Sequence, residues 1–156
     1  MSQPEILAPS STRKFPRGGA SPATAAVARP TAPPFRLARS TFLAAGGLAF
    51  ALGLLSWTGH GGGLVALHGP LGIVAVLALW TLAVRAARSG VPARSAALAA
   101  AWGLVALVVG ATHNFLLPGS WHWTLQAAHL ALSMGMMASG RRLLASMARR
   151  EAIANP

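Results

Sequence analysis

Four apolar runs separated by short glycine-, proline- or serine-containing breaks dominate the chain beyond its first forty residues. They cover 41–58 (TFLAAGGLAFALGLLSWT), 63–84 (GLVALHGPLGIVAVLALWTLAV), 95–116 (SAALAAAWGLVALVVGATHNFL) and 121–140 (WHWTLQAAHLALSMGMMASG). Each is about 18–22 residues long, or roughly 27–33 Å of helix, enough to cross a hydrocarbon core. The breaks fall at Gly59 and Gly61 to Gly63, at Ser89-Gly90-Val91-Pro92, and at Pro118-Gly119-Ser120, all residues that interrupt regular structure. The pattern predicts an all-α fold, an integral membrane four-helix bundle over 41–142 with short connections between antiparallel neighbours. Pro70 leaves the start of the second helix open. Either the helix begins at Pro70 and leaves His68 at the interface, or it begins near Gly63, kinks, and buries His68 about one turn deep.

Helical phase sorts the small and polar residues. At 3.6 residues per turn, Gly46, Ala49, Gly53, Ser56 and His60 share one stripe of the first run, and Ala99, Gly103, Ala106, Gly110 and His113 share one stripe of the third. Membrane helices associate through such small-residue faces and through interhelical hydrogen bonds. The second run aligns His68, Gly72 and Ala75. The fourth has a polar stripe, His122, Gln126, His129 and Ser133, and opposite it a small stripe, Ala127, Ala131, Gly135 and Ser139. A helix with two such faces is expected to meet neighbours on both, one of them inside the bundle and the other a further helix or a partner subunit. Residues 41–88 and 95–142 each read as a hairpin in which both helices carry a histidine toward the same end, the arrangement a duplication would leave.

Charge then orients the spans. The chain is 54% hydrophobic and only 10% charged, with a formal net charge of +11. Soluble domains carry about 25% charged residues, so lipid rather than charge covers these apolar faces. The basic residues fall in three blocks: Arg13 to Arg39 ahead of the first span, Arg85, Arg88 and Arg94 between the second and third, and Arg141, Arg142, Arg149 and Arg150 after the fourth. The connections between first and second and between third and fourth spans carry no Lys, Arg, Asp or Glu. The positive-inside rule accounts for the basic residues without a nucleic-acid partner, and places both termini in the cytoplasm. Trp57, Trp121 and Trp123 then sit at the outer interface, and Trp80 and Trp102 nearer the inner one. Residues 1–40, rich in Pro, Ala, Ser and Arg, sustain no apolar period and read as a disordered basic cytoplasmic tail. Residues 143–156 form a cytoplasmic C-terminal segment. The first span, preceded by forty residues and followed by three more spans, reads as an uncleaved anchor. The Ala-, Arg-, Gly- and Pro-rich composition, with one Lys, suits a GC-rich bacterial genome, and the expected location is a bacterial inner membrane.

Candidate chemistry is confined to the histidines. The sequence has no cysteine, which excludes disulfides, thiolate chemistry and covalent haem attachment through Cys. Its two acidic residues, Glu5 and Glu151, lie outside the spans, leaving no carboxylate for a proton relay or for carboxylate catalysis. His129 lies about eight residues, roughly 12 Å, into the fourth span, and an ionisable residue at that depth marks a functional site by default. The structural alternative is a hydrogen bond from neutral His129 to a neighbour such as Ser56 or Thr112. His113, with Thr112 and Asn114, also suits a helix C-terminal cap. His60 and His122 are interfacial.

Two facing imidazoles can hold haem b without covalent attachment. His68 and His129 come to similar depth on parallel helices that are diagonal partners in an up-down bundle. In span number and histidine placement the chain resembles small four-helix membrane b-type cytochromes, the cytochrome b561 group. That resemblance implies bis-histidine haem near the outer face, with His129, His68 and His113 as the candidate ligands, and it implies one haem only, because the inner side carries no histidine. A zinc or copper ion held by three or more histidines is a second chemistry. No nucleophile–base constellation or phosphate-binding loop points to an enzyme. The leading expectation is a non-enzymatic accessory or assembly subunit of a larger membrane complex. The alternatives are a b-type haem electron-transfer protein and, third, a metal-handling protein or small transporter.

Overall fold

The computed structural model describes residues 33–60, 62–112, 115–116 and 119–154, and these are helical with no strand among them. Helix α1 runs Pro33–Trp57, α2 His68–Arg88, α3 Ala93–Thr112 and α4 His122–Ala154. A short 3-10 helix, Gly62–Leu67, leads directly into α2. Three stretches are long and apolar enough to cross a membrane: Phe35–Trp57, Gly62–Arg88 and Ala93–Thr112. Helix α4 covers the fourth expected span, but its polar stripe dilutes its hydropathy and it does not reach that standard. Two boundaries differ from the sequence reading. Helix α1 starts at Pro33 rather than 41, so the end of the expected tail is helical, with proline at a first-turn position where its missing N–H costs nothing. Helix α4 continues through the segment expected to follow the bundle, as far as Ala154.

The structure answers the Pro70 question by a third route. Residues 62–67 take the tighter 3-10 path, α2 begins at His68, and Pro70 falls within the first turn. There its absent N–H is one of the donors that have no intrahelical acceptor anyway, so no kink is needed.

Helices α1 and α2 end in the same way. The Gly59 N–H reaches the Ser56 carbonyl (3.1 Å) and the His60 N–H reaches Leu55 (2.9 Å). The Gly90 N–H reaches Ala87 (3.3 Å) and the Val91 N–H reaches Ala86 (3.0 Å). This paired bonding is the Schellman motif, which requires a left-handed residue at the first glycine. Gly59 and Gly90 supply it with φ of 77° and 81°. Val91 and Ala86 are both buried, adding the apolar contact that closes the second motif.

Side-chain contacts set the helix order. The Trp80 Nε1–H donates to the Ala100 carbonyl at 3.1 Å, and Gly103 faces Val76, Leu79 and Trp80, so α2 and α3 run antiparallel. Gly46 faces Met137 and Gly140 faces Phe42, which makes α1 and α4 antiparallel. Gly110 faces His129 and Gly135 faces Trp102, and the same holds for α3 and α4. Trp80 and Trp102 are thus packed between helices. Helices α2 and α4 run parallel and form the diagonal that touches, through His68 against His129 at one level and Leu79 against Gly140 at another.

The buried residues of that diagonal repeat. Helix α2 buries Ala75, Leu79, Leu82 and Ala86 in line with His68, and α4 buries Met136, Gly140, Leu143 and Met147 in line with His129. The alternating steps of three and four are those of a bundle seam. The polar stripe of α4 and its buried apolar face are therefore one line, polar in its first half and apolar in its second. The outer pair repeats as well: Phe42, Gly46, Ala49 and Gly53 of α1 match Ala99, Gly103, Ala106 and Gly110 of α3 at one constant interval. One exchange breaks the likeness. Phe42 packs on Gly140, whereas their counterparts are the small Ala99 and the large Leu79.

Phe42 is fully buried, and a Cβ at residue 140 would collide with its ring. Gly140→Ala is expected to cost about 1–3 kcal/mol through overpacking, and Phe42→Ala about 3–5 kcal/mol through the cavity it leaves. The double variant should lose markedly less than the two together. Thermal unfolding in mild detergent checks this, and strict additivity would show that the two residues do not share one contact.

Candidate functional site

The bundle separates its chemistry by end. The described arginines, Arg36 and Arg39 on α1, Arg85 and Arg88 on α2, Arg94 on α3, and Arg141, Arg142, Arg149 and Arg150 on α4, gather toward one end of the antiparallel array. The described histidines gather at the other.

His68 occupies the first turn of α2, where the 3-10 lead-in turns its ring toward α1. Its Nδ1 lies 2.8 Å from the Ala49 carbonyl oxygen. A carbonyl only accepts, so Nδ1 donates, and in the neutral ring the lone pair is left on Nε2. The Ala49 carbonyl is open to a side-chain donor here because the facing surface of α1 is small. A Cβ on Gly53 would stand 3.0 Å from the His68 Cε1. His129, two turns into α4, repeats the arrangement against α3. Its Nδ1 is enclosed by protein atoms, and a Cβ on Gly110 would come within 2.6 Å of its Cε1. Each histidine is seated on a glycine of the preceding helix, and the two glycines occupy equivalent places in the repeat.

The two seats bring the rings together. The centroids of His68 and His129 are 5.9 Å apart with their planes at 78°. One turn below His68 on the same seam, a Cβ on Gly72 would meet nothing within 4 Å, so there is open space beside the pair.

The remaining histidines occupy other positions. His60 is exposed in the turn after α1, where it serves through its backbone N–H. His122 is the first residue of α4 and half-buried. His113, the third candidate ligand, lies outside the described residues. Among the described residues no three His, Cys, Asp or Glu side chains cluster as a metal-binding group, so the three-histidine zinc or copper centre is not assembled there.

Residue type made His68 and His129 visible in the sequence, and helical phase put them on packed faces. The Ala49 carbonyl carries no sequence signal, being backbone. Gly53 and Gly110 were visible as small-stripe members, but nothing marked them as the ring seats. No family model, curated protein or solved structure matches the chain. Fold and site together define an all-helical protein with three apolar helices of membrane-spanning length and a close histidine pair at one end.

The glycine seats make opposite predictions at two positions. Gly110→Ala must displace the His129 ring and is expected to cost about 1–3 kcal/mol. Gly72→Ala meets open space and is expected to gain up to about 1 kcal/mol from helix propensity. Melting temperatures of the two variants in detergent should move in opposite directions; a Gly110→Ala protein as stable as the parent would refute the seat.

Proposed function

We propose that this chain is a small multi-pass protein of a bacterial inner membrane, with α4 as a fourth span and both termini cytoplasmic. Its working centre is the His68–His129 pair near the outer face, which holds haem b and passes electrons without catalysing a reaction of its own. The observation that carries this reading is the 5.9 Å separation of the two imidazoles on parallel, diagonal helices. His68 and His129 are the residues that would hold the iron, each through one imidazole nitrogen. The donor set suits the group in two further respects. The His68 Nδ1–H is held by the Ala49 carbonyl, the outer hydrogen bond that usually fixes a ligating histidine's tautomer and aims its other nitrogen. The glycine one turn along the seam from His68, Gly72, leaves the space of a side chain unfilled. Bound there, haem b would supply a one-electron couple. The protein's part is to orient two neutral imidazoles, keep carboxylates away, and cover the site with apolar helix faces.

The second reading is a non-enzymatic accessory or assembly subunit of a larger membrane complex. One support for it has weakened, because the small face of α4 is used inside the chain, where Gly135 receives Trp102. What favours it is the paired extension of α1 and α4 at the arginine end, where Leu37 is 67% and Ile153 80% exposed. Of these, Leu37 lies within the Phe35–Trp57 stretch and Ile153 beyond the apolar spans. The metal-handling and transporter readings have no comparable support: no three-ligand cluster is described, and no carboxylate lies within the spans.

The deciding measurement is a reduced-minus-oxidised absorption spectrum of detergent-purified protein from haem-replete cells. We expect b-type bands, lost in His68→Ala and in His129→Ala and kept in His60→Ala. Gly72→Leu, which fills the open space, should lose the bands while keeping its helical content. Absence of bands in the parent protein would remove the haem reading. Co-migration with other membrane proteins on a native gel would then favour the subunit reading. Topology has its own check: a periplasm-dependent reporter should be active when inserted in the connection before α2 or before α4, and inactive at the C-terminus.

A further inference from the structure

The arginine end holds a feature that the histidine centre does not use. Between the start of α1 and the second half of α4 lies a cavity of about 470 Å³. Arg36, Arg39 and Glu151 stand on its walls, with Phe35, Leu43 and Leu144 supplying apolar surface. Its lining is graded along α1. Arg36 and Arg39 precede the uninterrupted apolar run that begins at residue 41, and Leu43 lies within that run. A cavity with guanidiniums at the level of the membrane interface and Leu43 one turn deeper has the profile of a charged head joined to an acyl chain. We infer that this cavity is a binding site for one anionic phospholipid of the inner leaflet, its phosphate held by Arg36 and Arg39 beside Leu144 and its first acyl carbons laid along Leu43.

Charge complementarity favours this occupant. Two guanidiniums face one carboxylate, and no acidic residue occupies the first turn of α1. The chain's own N-terminal residues are poor competitors, since Arg13, Lys14, Arg17 and Arg29 stand against a single acidic residue, Glu5. A second groove on the bundle, lined by Leu77, Trp80, Thr81 and Val84, also ends in two arginines, Arg85 and Arg88. Basic pockets between spans on the cytoplasmic side are a recognised form of anionic-headgroup site. The inference rests on the membrane reading and the topology above and is independent of the haem reading.

The test uses the full chain in nanodiscs of phosphatidylcholine, with or without added phosphatidylglycerol. Melting temperature and the lipids retained in native mass spectrometry are the readouts. The expected result is preferential retention of phosphatidylglycerol and a higher melting temperature with it. The preference should fall by about fivefold per arginine removed in Arg36→Gln/Arg39→Gln, with Arg94→Gln as an unaffected control. Leu43→Trp keeps every charge and fills the apolar part of the cavity, so it should also lose the preference, and it guards against a double variant that fails to fold. Equal retention of the two lipids, or loss of preference in Arg94→Gln equal to that in the double variant, would overturn the site. Inorganic phosphate added to phosphatidylcholine discs should give no stabilisation; if it protects as well as phosphatidylglycerol does, the site takes a free anion and the lipid assignment fails. Should the topology reporters place this end outside, the inner-leaflet assignment fails even if lipid is retained.

Discussion

Helices in lipid gain little from hiding apolar side chains, because the surrounding acyl chains are equally apolar, and close packing has to hold them together. In this protein the packing is done by side chains set on glycines. Met137 lies on Gly46, Val76 and Leu79 on Gly103, Trp102 on Gly135, Phe42 on Gly140, and the two histidine rings on Gly53 and Gly110. Each glycine removes the one atom that would keep the neighbouring helix away, and dispersion contacts accumulate over the resulting close approach. The core is correspondingly small-grained. Phe42, Leu79 and Leu82 are its only fully buried large side chains among the described residues, and the rest is mostly alanine, methionine and small aliphatics.

The same device builds the candidate site. A histidine carried on a membrane helix needs a polar partner, and a backbone carbonyl becomes one only when another helix comes close enough and leaves it uncovered. The small stripe of α1 does both for His68, presenting the Ala49 oxygen at 2.8 Å. The equivalent stripe of α3 receives His129. Stability and site geometry therefore share residues. A side chain added at Gly110 to improve helix propensity would displace His129 from its place beside His68. The seams of α2 and α4 link the two ends of the molecule in a similar way. Each runs unbroken from a histidine at one end to Ala86 or Met147 near the other.

The repeat explains why two histidines meet and not one. Matching positions on α1 and α3, and on α2 and α4, place each ring on its glycine at the same height, and the parallel course of α2 and α4 brings the rings side by side. The Phe42–Gly140 pair shows the limit of the symmetry. A large residue on α1 facing a glycine on α4 answers a large residue on α2 facing the small surface of α3. Volume is conserved across the core while the individual positions are exchanged, as close-packed interiors require.

Hydropathy and charge along the chain were enough for the all-helical class, three of the apolar spans, the gathering of Arg85, Arg88 and Arg94 with the terminal arginines, and the inward turn of the stripes holding Gly46, Ala49, Ala99, Gly103 and Ala106. These are properties of single helices, set by length, period and composition, and a sequence carries them directly. Other features depend on a second chain segment. The sequence kept two starts open for α2, and the 3-10 lead-in through Leu67 realises neither. Two separate faces of α4 seemed to need partners, yet the line through His129 and Ser133 continues into Met136, Gly140 and Leu143, and Trp102 covers Gly135. The 5.9 Å approach of His68 to His129, the role of the Ala49 carbonyl and the cavity beside Arg36 and Arg39 arise only between helices. A residue's own helix decides which way it faces. What it meets there is decided by how closely the next helix can come, and in this bundle that distance is set by glycines remote in the chain from the residues they receive.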